Sequence, residues 1–216
     1  RTLIKKGEEI TISYVSDLDL ARSTEERQER LEGWKFRCSC ERCSQELDTA
    51  RGFRCQACQI GTCLWSVECS RRTGPCSCCG AEIVTPQLDK LVTEELVACR
   101  SLDGIREGDA EGLNALYGQV LGWASEGRHW ALFVLDSFLW ESAQQRKQHH
   151  RAVWHQRQRV AYLEHVMPEA NCLLATCYEE LAAAIVAQNA AAPAVPRNGP
   201  PAAGAGDAAP ADSDEE

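Results

Sequence analysis

The chain has 216 residues, with 23 Lys or Arg against 32 Asp or Glu and a formal charge of −9. That balance argues against nucleic-acid binding, whose affinity comes largely from basic residues that release counterions. No apolar run reaches the roughly 18 residues of a membrane span, and no apolar signal segment follows Arg1, so neither membrane insertion nor secretion is expected. Opening on Arg1 rather than Met, the sequence reads as beginning partway through a longer protein.

Lys6-Gly7 predicts a turn, and the alternation of Ile10, Ile12 and Tyr14 with Thr11 and Ser13 predicts a short strand over 9–15. Ser23-x-x-Glu26 is a capping box, which starts a charged helix ending near Gly33. Trp34 and Phe36 lead into Cys38-x-Cys40-x2-Cys43. After a second cysteine-rich stretch, Thr85-Pro86 predicts a helix start, with Leu88, Leu91, Val92, Leu96 and Cys99 on one face as far as Gly104. A second apolar stripe runs from Leu113 to Ala124, closed by Gly127. A third begins at Trp130 and fades into QQRKQHHR. Val160, Leu163 and Val166 form a fourth, and Pro168 opens a fifth through Ile185. Helices of this length joined by short turns predict a bundle or hairpin array. Residues 187–216 hold 11 Ala, 5 Pro and 3 Gly and end in DSDEE, a composition that predicts disorder.

Thirteen cysteines are the outlier, and ten of them lie between Cys38 and Cys79. An odd count with close CxxC pairs favours reduced thiolates on metal over disulfides. Cys55-x2-Cys58 and Cys76-x2-Cys79 together supply the four soft ligands of a structural zinc, with a spacer long enough for a hairpin. Cys63, Cys69 and Cys78 are open as substitutes or as ligands of a second metal. Cys38, Cys40 and Cys43 form an all-thiolate set that suits a structural zinc but is one ligand short. Cys99, Cys172 and Cys177 sit among apolar residues and read as small buried side chains. The histidines His149, His150 and His155 read as a solvated helix face.

GEEITISY (7–14), STEERQERLEGW (23–34) and KFRCSCERC (35–43), in that order, resemble the end of the catalytic SET domain and the post-SET segment of SET-and-MYND type protein-lysine methyltransferases. The resemblance implies that Tyr14 is the active-site tyrosine that orients the lysine amine for attack on the methyl group of S-adenosylmethionine. It implies that Phe36 packs on the cofactor's adenine, and that Trp34 stands where relatives often carry a Tyr lining the lysine channel. Cys38, Cys40 and Cys43 match the post-SET zinc ligands. In the family an Asn-His-x-Cys motif upstream completes that zinc site, and this sequence has no such motif. The helices are similar to the tetratricopeptide-like (TPR-like) domain that follows in these enzymes.

The expected fold class is mainly α with small zinc-stapled β and loop segments. Residues 1–16 would be the end of the SET domain, 17–47 the post-SET helix and zinc segment, and 48–84 a zinc ribbon. A TPR-like helical domain would occupy 85–188, with an acidic disordered tail over 189–216. The implied function is the C-terminal part of an S-adenosylmethionine-dependent methyltransferase, inactive alone. It would be monomeric, act on lysine in histones or other proteins, and reside in the reducing nucleus or cytoplasm. The alternative is a zinc-stapled helical interaction module without catalysis.

Overall fold

The computed structural model describes residues 5–7, 12–69, 72–104, 109–167 and 171–191. Over these the chain is mainly helical, with one small sheet. Strand β1 (Leu47–Arg54) lies at the centre, antiparallel to β2 (Thr62–Ser66) on one side and to β3 (Ala124–His129) on the other. Register breaks between Asp48 and Gly52, and again between Arg51 and Phe53. Over these breaks Ala50, Arg51, Gly52 and Phe53 are buried in succession instead of alternating.

Helix α1 (Asp17–Leu20) precedes α2 (Thr24–Glu32), whose Ser23 hydroxyl accepts from the Glu26 N–H at 3.3 Å, as the capping box requires. A 3₁₀ turn follows at Glu41–Ser44. Beyond the ribbon come α3 (Gln87–Gly104), α4 (Ala110–Leu121), α5 (Trp130–Gln145), α6 (His149–Val166) and α7 (Cys172–Ala191). From α4 onward each helix packs on the next. The predicted stripes supply the core: Leu88, Leu91, Leu116, Val120, Leu135 and Leu163 are buried together with Phe53 and Trp130.

Three features depart from the sequence expectation. Ile12–Val15 forms no strand; among the described residues no other strand runs beside it, and Ile10 and Thr11 lie outside them. ASEGRH becomes β3 although it shows no apolar alternation, because pairing with β1 decides its conformation. QQRKQHHR is not a fading helix end but contains the turn between α5 and α6, where Lys147 adopts a left-handed φ of 55°. Pro168 and residues 192–216 lie outside the described residues, whereas 189–191 belong to α7. Strand β3 places part of the 85–188 region in the same sheet as the ribbon strands.

The polar centre of this core is Arg51. Its guanidinium bonds the buried Glu95 carboxylate through Nε at 3.0 Å and Nη2 at 2.5 Å, and reaches Glu25 on α2 at 2.7 Å. It also lies 3.9 Å from the centroid of the Trp65 ring. Glu95 further accepts from Trp130 Nε1 at 3.2 Å. The Ala131 N–H donates to His129 Nδ1, which leaves the ring proton on Nε2, 3.4 Å from Glu95. Burial alone would raise the Glu95 carboxyl, but His129 and Arg51 hold it at about 2.

A depressed carboxyl stabilises the fold above its ordinary pKa of 4.5, and that contribution is lost as pH falls towards about 2. Arg51→Ala strands a buried carboxylate and is expected to cost about 3–5 kcal/mol in urea unfolding at pH 7. That cost should shrink as Glu95 becomes able to protonate. Glu95→Gln should lose the wild type's dependence across this acid window; an unchanged pH profile would contradict the assignment.

Candidate functional site

Two groups of thiols meet in the fold. The Sγ atoms of Cys55, Cys58, Cys76 and Cys79 all lie within 4.8 Å of one another, with Cys55–Cys79 at 3.6 Å and Cys58–Cys76 at 3.7 Å. Four sulfurs each about 2.3 Å from a tetrahedral zinc would be about 3.8 Å apart. The thiols are therefore already at metal-binding separation, and no cysteine is in a disulfide.

Sequence and hydrogen bonding build this geometry twice. Gln59 N–H donates to Cys55 O at 2.9 Å, and Gly80 N–H to Cys76 O at 3.0 Å. Cys55 N–H pairs with Gly61 O and Cys76 N–H with Ala81 O, at 2.9 and 2.8 Å. The residue after each second cysteine is left-handed, Gln59 at φ 60° and Gly80 at φ 76°. Glycine takes that conformation without a Cβ penalty, whereas glutamine does not. The N–H groups of Gly61 and Cys78 then donate to the sulfurs of Cys58 and Cys76, at 3.4 and 3.3 Å.

Those donors set the charge state. Gly61 and Ile60 N–H pull the Cys58 thiol down to about 6, and Cys79 and Cys78 N–H lower Cys76. For Cys79 the Ala81 N–H pulls down, but hydrogen bonding to Cys55, burial and the Cys58 and Cys76 sulfurs push it up to about 12. A bare set of four thiolates repels itself, so a divalent cation drives the last protons off. Of the cysteines that spacing left open, Cys63 is buried and donates to Ala81 O at 3.6 Å, with burial and Cys55 pushing it up to about 12. It is a neutral thiol beside the centre. Cys78 is exposed, and neither it nor Cys69 belongs to the cluster.

Cys38, Cys40 and Cys43 form the second group, also within 4.8 Å of one another, and among the described residues no fourth ligand joins them. Gln28 clamps the segment to α2: its Nε2 donates to Cys38 O at 2.8 Å while its Oε1 accepts Cys38 N–H at 3.0 Å. Burial pushes Cys43 up to about 11 against the pull of Arg27, whose Nη2 reaches its sulfur at 3.6 Å. A zinc here would be held by three thiolates with one position left for another ligand.

The aromatic residues singled out from sequence converge beside this triplet. Tyr14 packs edge-on to both Trp34 and Phe36, with centroids 5.3 Å away in each case. Lys35, left-handed at φ 59°, turns the chain between the two. All three rings remain open, at 49, 60 and 41% exposure for Tyr14, Trp34 and Phe36. Such a patch marks an unsatisfied contact surface. A cleft of about 570 Å³ runs from Tyr14 and Phe36 along Arg27 and Arg42 to the three cysteines. Trp34 touches Tyr14 but does not line that cleft.

Elsewhere, His155 is buried rather than solvated, its Nδ1 at 2.8 Å from Asp136 Oδ1. Of the three cysteines expected to be small buried side chains, Cys177 is buried and Cys99 half-buried, whereas Cys172 at the start of α7 is exposed. Sequence gave no sign of the Asp136–His155 pair, since its partners come from different helices 19 residues apart.

No family model matches the chain, and no curated protein is significantly similar to it.

Gly61 offers a test of the four-thiol centre. A Cβ there would collide with Cys76 Sγ and lie 2.9 Å from Cys78 N. Gly61→Ala is expected to weaken zinc binding by about 10–100-fold, as loss of a metal site's supporting shell does. Competition with a chelating indicator reads this; unchanged affinity would contradict the placement of the metal.

Proposed function

We propose that the chain carries the end of a SET-type protein-lysine methyltransferase domain, followed by a zinc ribbon and a TPR-like helical domain. The observation that carries it is the convergence of exposed Tyr14 and Phe36 on a cleft shared with a three-thiol centre that has no fourth ligand among the described residues. The motif order of residues 7–43 supports the same assignment. A volume of about 570 Å³ falls within the range of small-ligand and cofactor sites.

Tyr14 contributes a hydroxyl that accepts a hydrogen bond from the lysine amine and aims its lone pair. Phe36 contributes an apolar face for an adenine ring. S-adenosylmethionine, when bound, supplies an electrophilic methyl on a sulfonium. Cys38, Cys40 and Cys43 would hold a structural zinc that pins this wall of the cleft, with the fourth thiolate and the rest of the cofactor site contributed by residues N-terminal to these. On this proposal the present chain alone does not turn over. The substrate is a lysine-bearing protein, histone or otherwise, and the compartment is the reducing nucleus or cytoplasm.

A zinc-stapled interaction module is the second reading. It is favoured by a cleft of about 630 Å³ between α3 and α4, lined by Leu91, Val97, Ala98 and Trp123 among others. The full-length protein separates the two. Under the methyltransferase reading it binds S-adenosylmethionine in calorimetry, and Tyr14→Phe lowers methyl transfer to a protein substrate by about 10²–10⁴-fold with little change in cofactor affinity. Phe36→Ala should instead weaken the cofactor. Failure of the full-length protein to bind S-adenosylmethionine would overturn this reading in favour of the module.

A further inference from the structure

The chain is acidic overall, yet residues 142–163 carry five Arg or Lys, three His and no Asp or Glu. Nearly all of this is α6 and the turn before it. Arg159 is buried and bound to Glu180 at 2.9 Å, so its charge is used internally. His150, Arg151, Trp154 and Arg157 are exposed and recur at helical spacing, so they share one face, with Lys147 in the preceding turn.

Among the described residues, Lys147, Arg151 and Arg157 take part in no ion pair. Arg151 donates only to the neutral Asn114, at 2.8 Å. Trp154, 39% exposed, adds an apolar step in the middle of the stripe, at the edge of a cleft of about 260 Å³ between α4 and α6. Asp136, which faces α6 from α5, is already bonded to His155. A cationic face on an acidic protein attracts an anionic occupant.

The topology supplies one. Arg159 and Gln156 bond Glu180, and Glu164 accepts from Tyr178, so α7 runs antiparallel to α6. Its last residue, Ala191, therefore lies towards the N-terminal end of α6. The sequence that continues from there, 192–216, holds five acids and one Arg, with four of the acids at 212, 214, 215 and 216. About 20 residues span at most about 70 Å, and α6 is about 27 Å long, so the acids reach every cation on the stripe. Tethering makes the encounter intramolecular, at an effective concentration in the millimolar range.

We propose that the acidic segment 207–216 docks on the basic face of α6. Its carboxylates pair with Lys147, Arg151 and Arg157, covering a surface that would otherwise take an external polyanion.

Carbodiimide cross-linking of the full chain, read by mass spectrometry on the monomer band, tests this contact. Lys147 should link to carboxylates of 207–216 at least fivefold more often than Lys35 or Lys90 at low salt. The links should fall severalfold in 0.5 M NaCl and in the surface variant R151E/R157E. Equal linking to Lys35 and Lys90, links confined to covalent dimers, or insensitivity to R151E/R157E would overturn the proposal. A labelled 20-nucleotide single-stranded RNA gives an independent reading. Neutralising the five acids (D207N, D212N, D214N, E215Q, E216Q) should tighten its binding at least tenfold. Equally tight binding by both forms would mean that the face serves nucleic acid and is not covered by the tail.

Discussion

Arg51 ties the central strand to the helices and strands packed around it. From the middle of β1 it binds Glu95 on α3, meets Glu25 on α2 and lies against Trp65 on β2. Through Glu95 it is coupled to His129 on β3 and Trp130 on α5. A buried ion pair adds little net stability over an apolar substitute, because desolvation offsets most of the Coulomb attraction. What it adds is specificity, since neither charge tolerates burial in any arrangement that separates the two. The ribbon sheet and the helices are thus held in one register by a constraint that apolar packing alone would not impose.

That constraint also positions the two thiol centres. Strand β1 delivers Cys55 at its end, and β2 leaves from Gly61 just beyond Cys58, so the first cysteine turn is the turn of a hairpin. The second cysteine turn closes on the first hairpin through Ser77 N–H to Thr62 O and Thr62 N–H to Ser77 Oγ, both at 3.0 Å. At the other end of β1, Asp48 accepts the Thr24 N–H at 2.6 Å and so fixes the start of α2. Helix α2, through Gln28, then holds the Cys38 segment. Tyr162 on α6 donates to Ala21 O and seals this N-terminal unit onto the helical array. One centre is complete and enclosed by its own hairpin. The other has three thiols, with no fourth ligand among the described residues, and opens on a cleft walled by Tyr14 and Phe36.

Local patterns were legible in the sequence wherever a single segment determined the outcome. Ser23-x-x-Glu26 capped its helix, and most of the α3 to α5 stripes became core, although Leu96 is exposed and Ala124 belongs to β3, beyond the end of α4; the two CxxC pairs met as their spacing required. Tyr14 and Phe36 also proved to be neighbours, although 22 residues apart. What was not legible depended on partners distant in sequence. ASEGRH carries no strand signal and owes β3 to β1. The stretch around His149 is too polar to read as a buried helix, yet α6 buries His155 and Gln156 because Asp136 and the Cys177 carbonyl satisfy them. Arg51 in a strand and Glu95 on a helix each look like surface charges until they are brought together. The left-handed Gln59 breaks the glycine habit that marks Gly80, so only the fold shows the two cysteine turns to be equivalent.

The account stands on the inequality of the two thiol centres. Zinc X-ray absorption of the purified chain, combined with metal content before and after a mild chelator, reads it most directly. The prediction is one zinc per chain that resists the chelator, with a shell of four sulfurs at about 2.3 Å. Any further zinc should be chelator-labile and carry a lighter ligand beside three sulfurs. A folded chain without tightly held zinc, or a resistant zinc with nitrogen or oxygen in its shell, would contradict it.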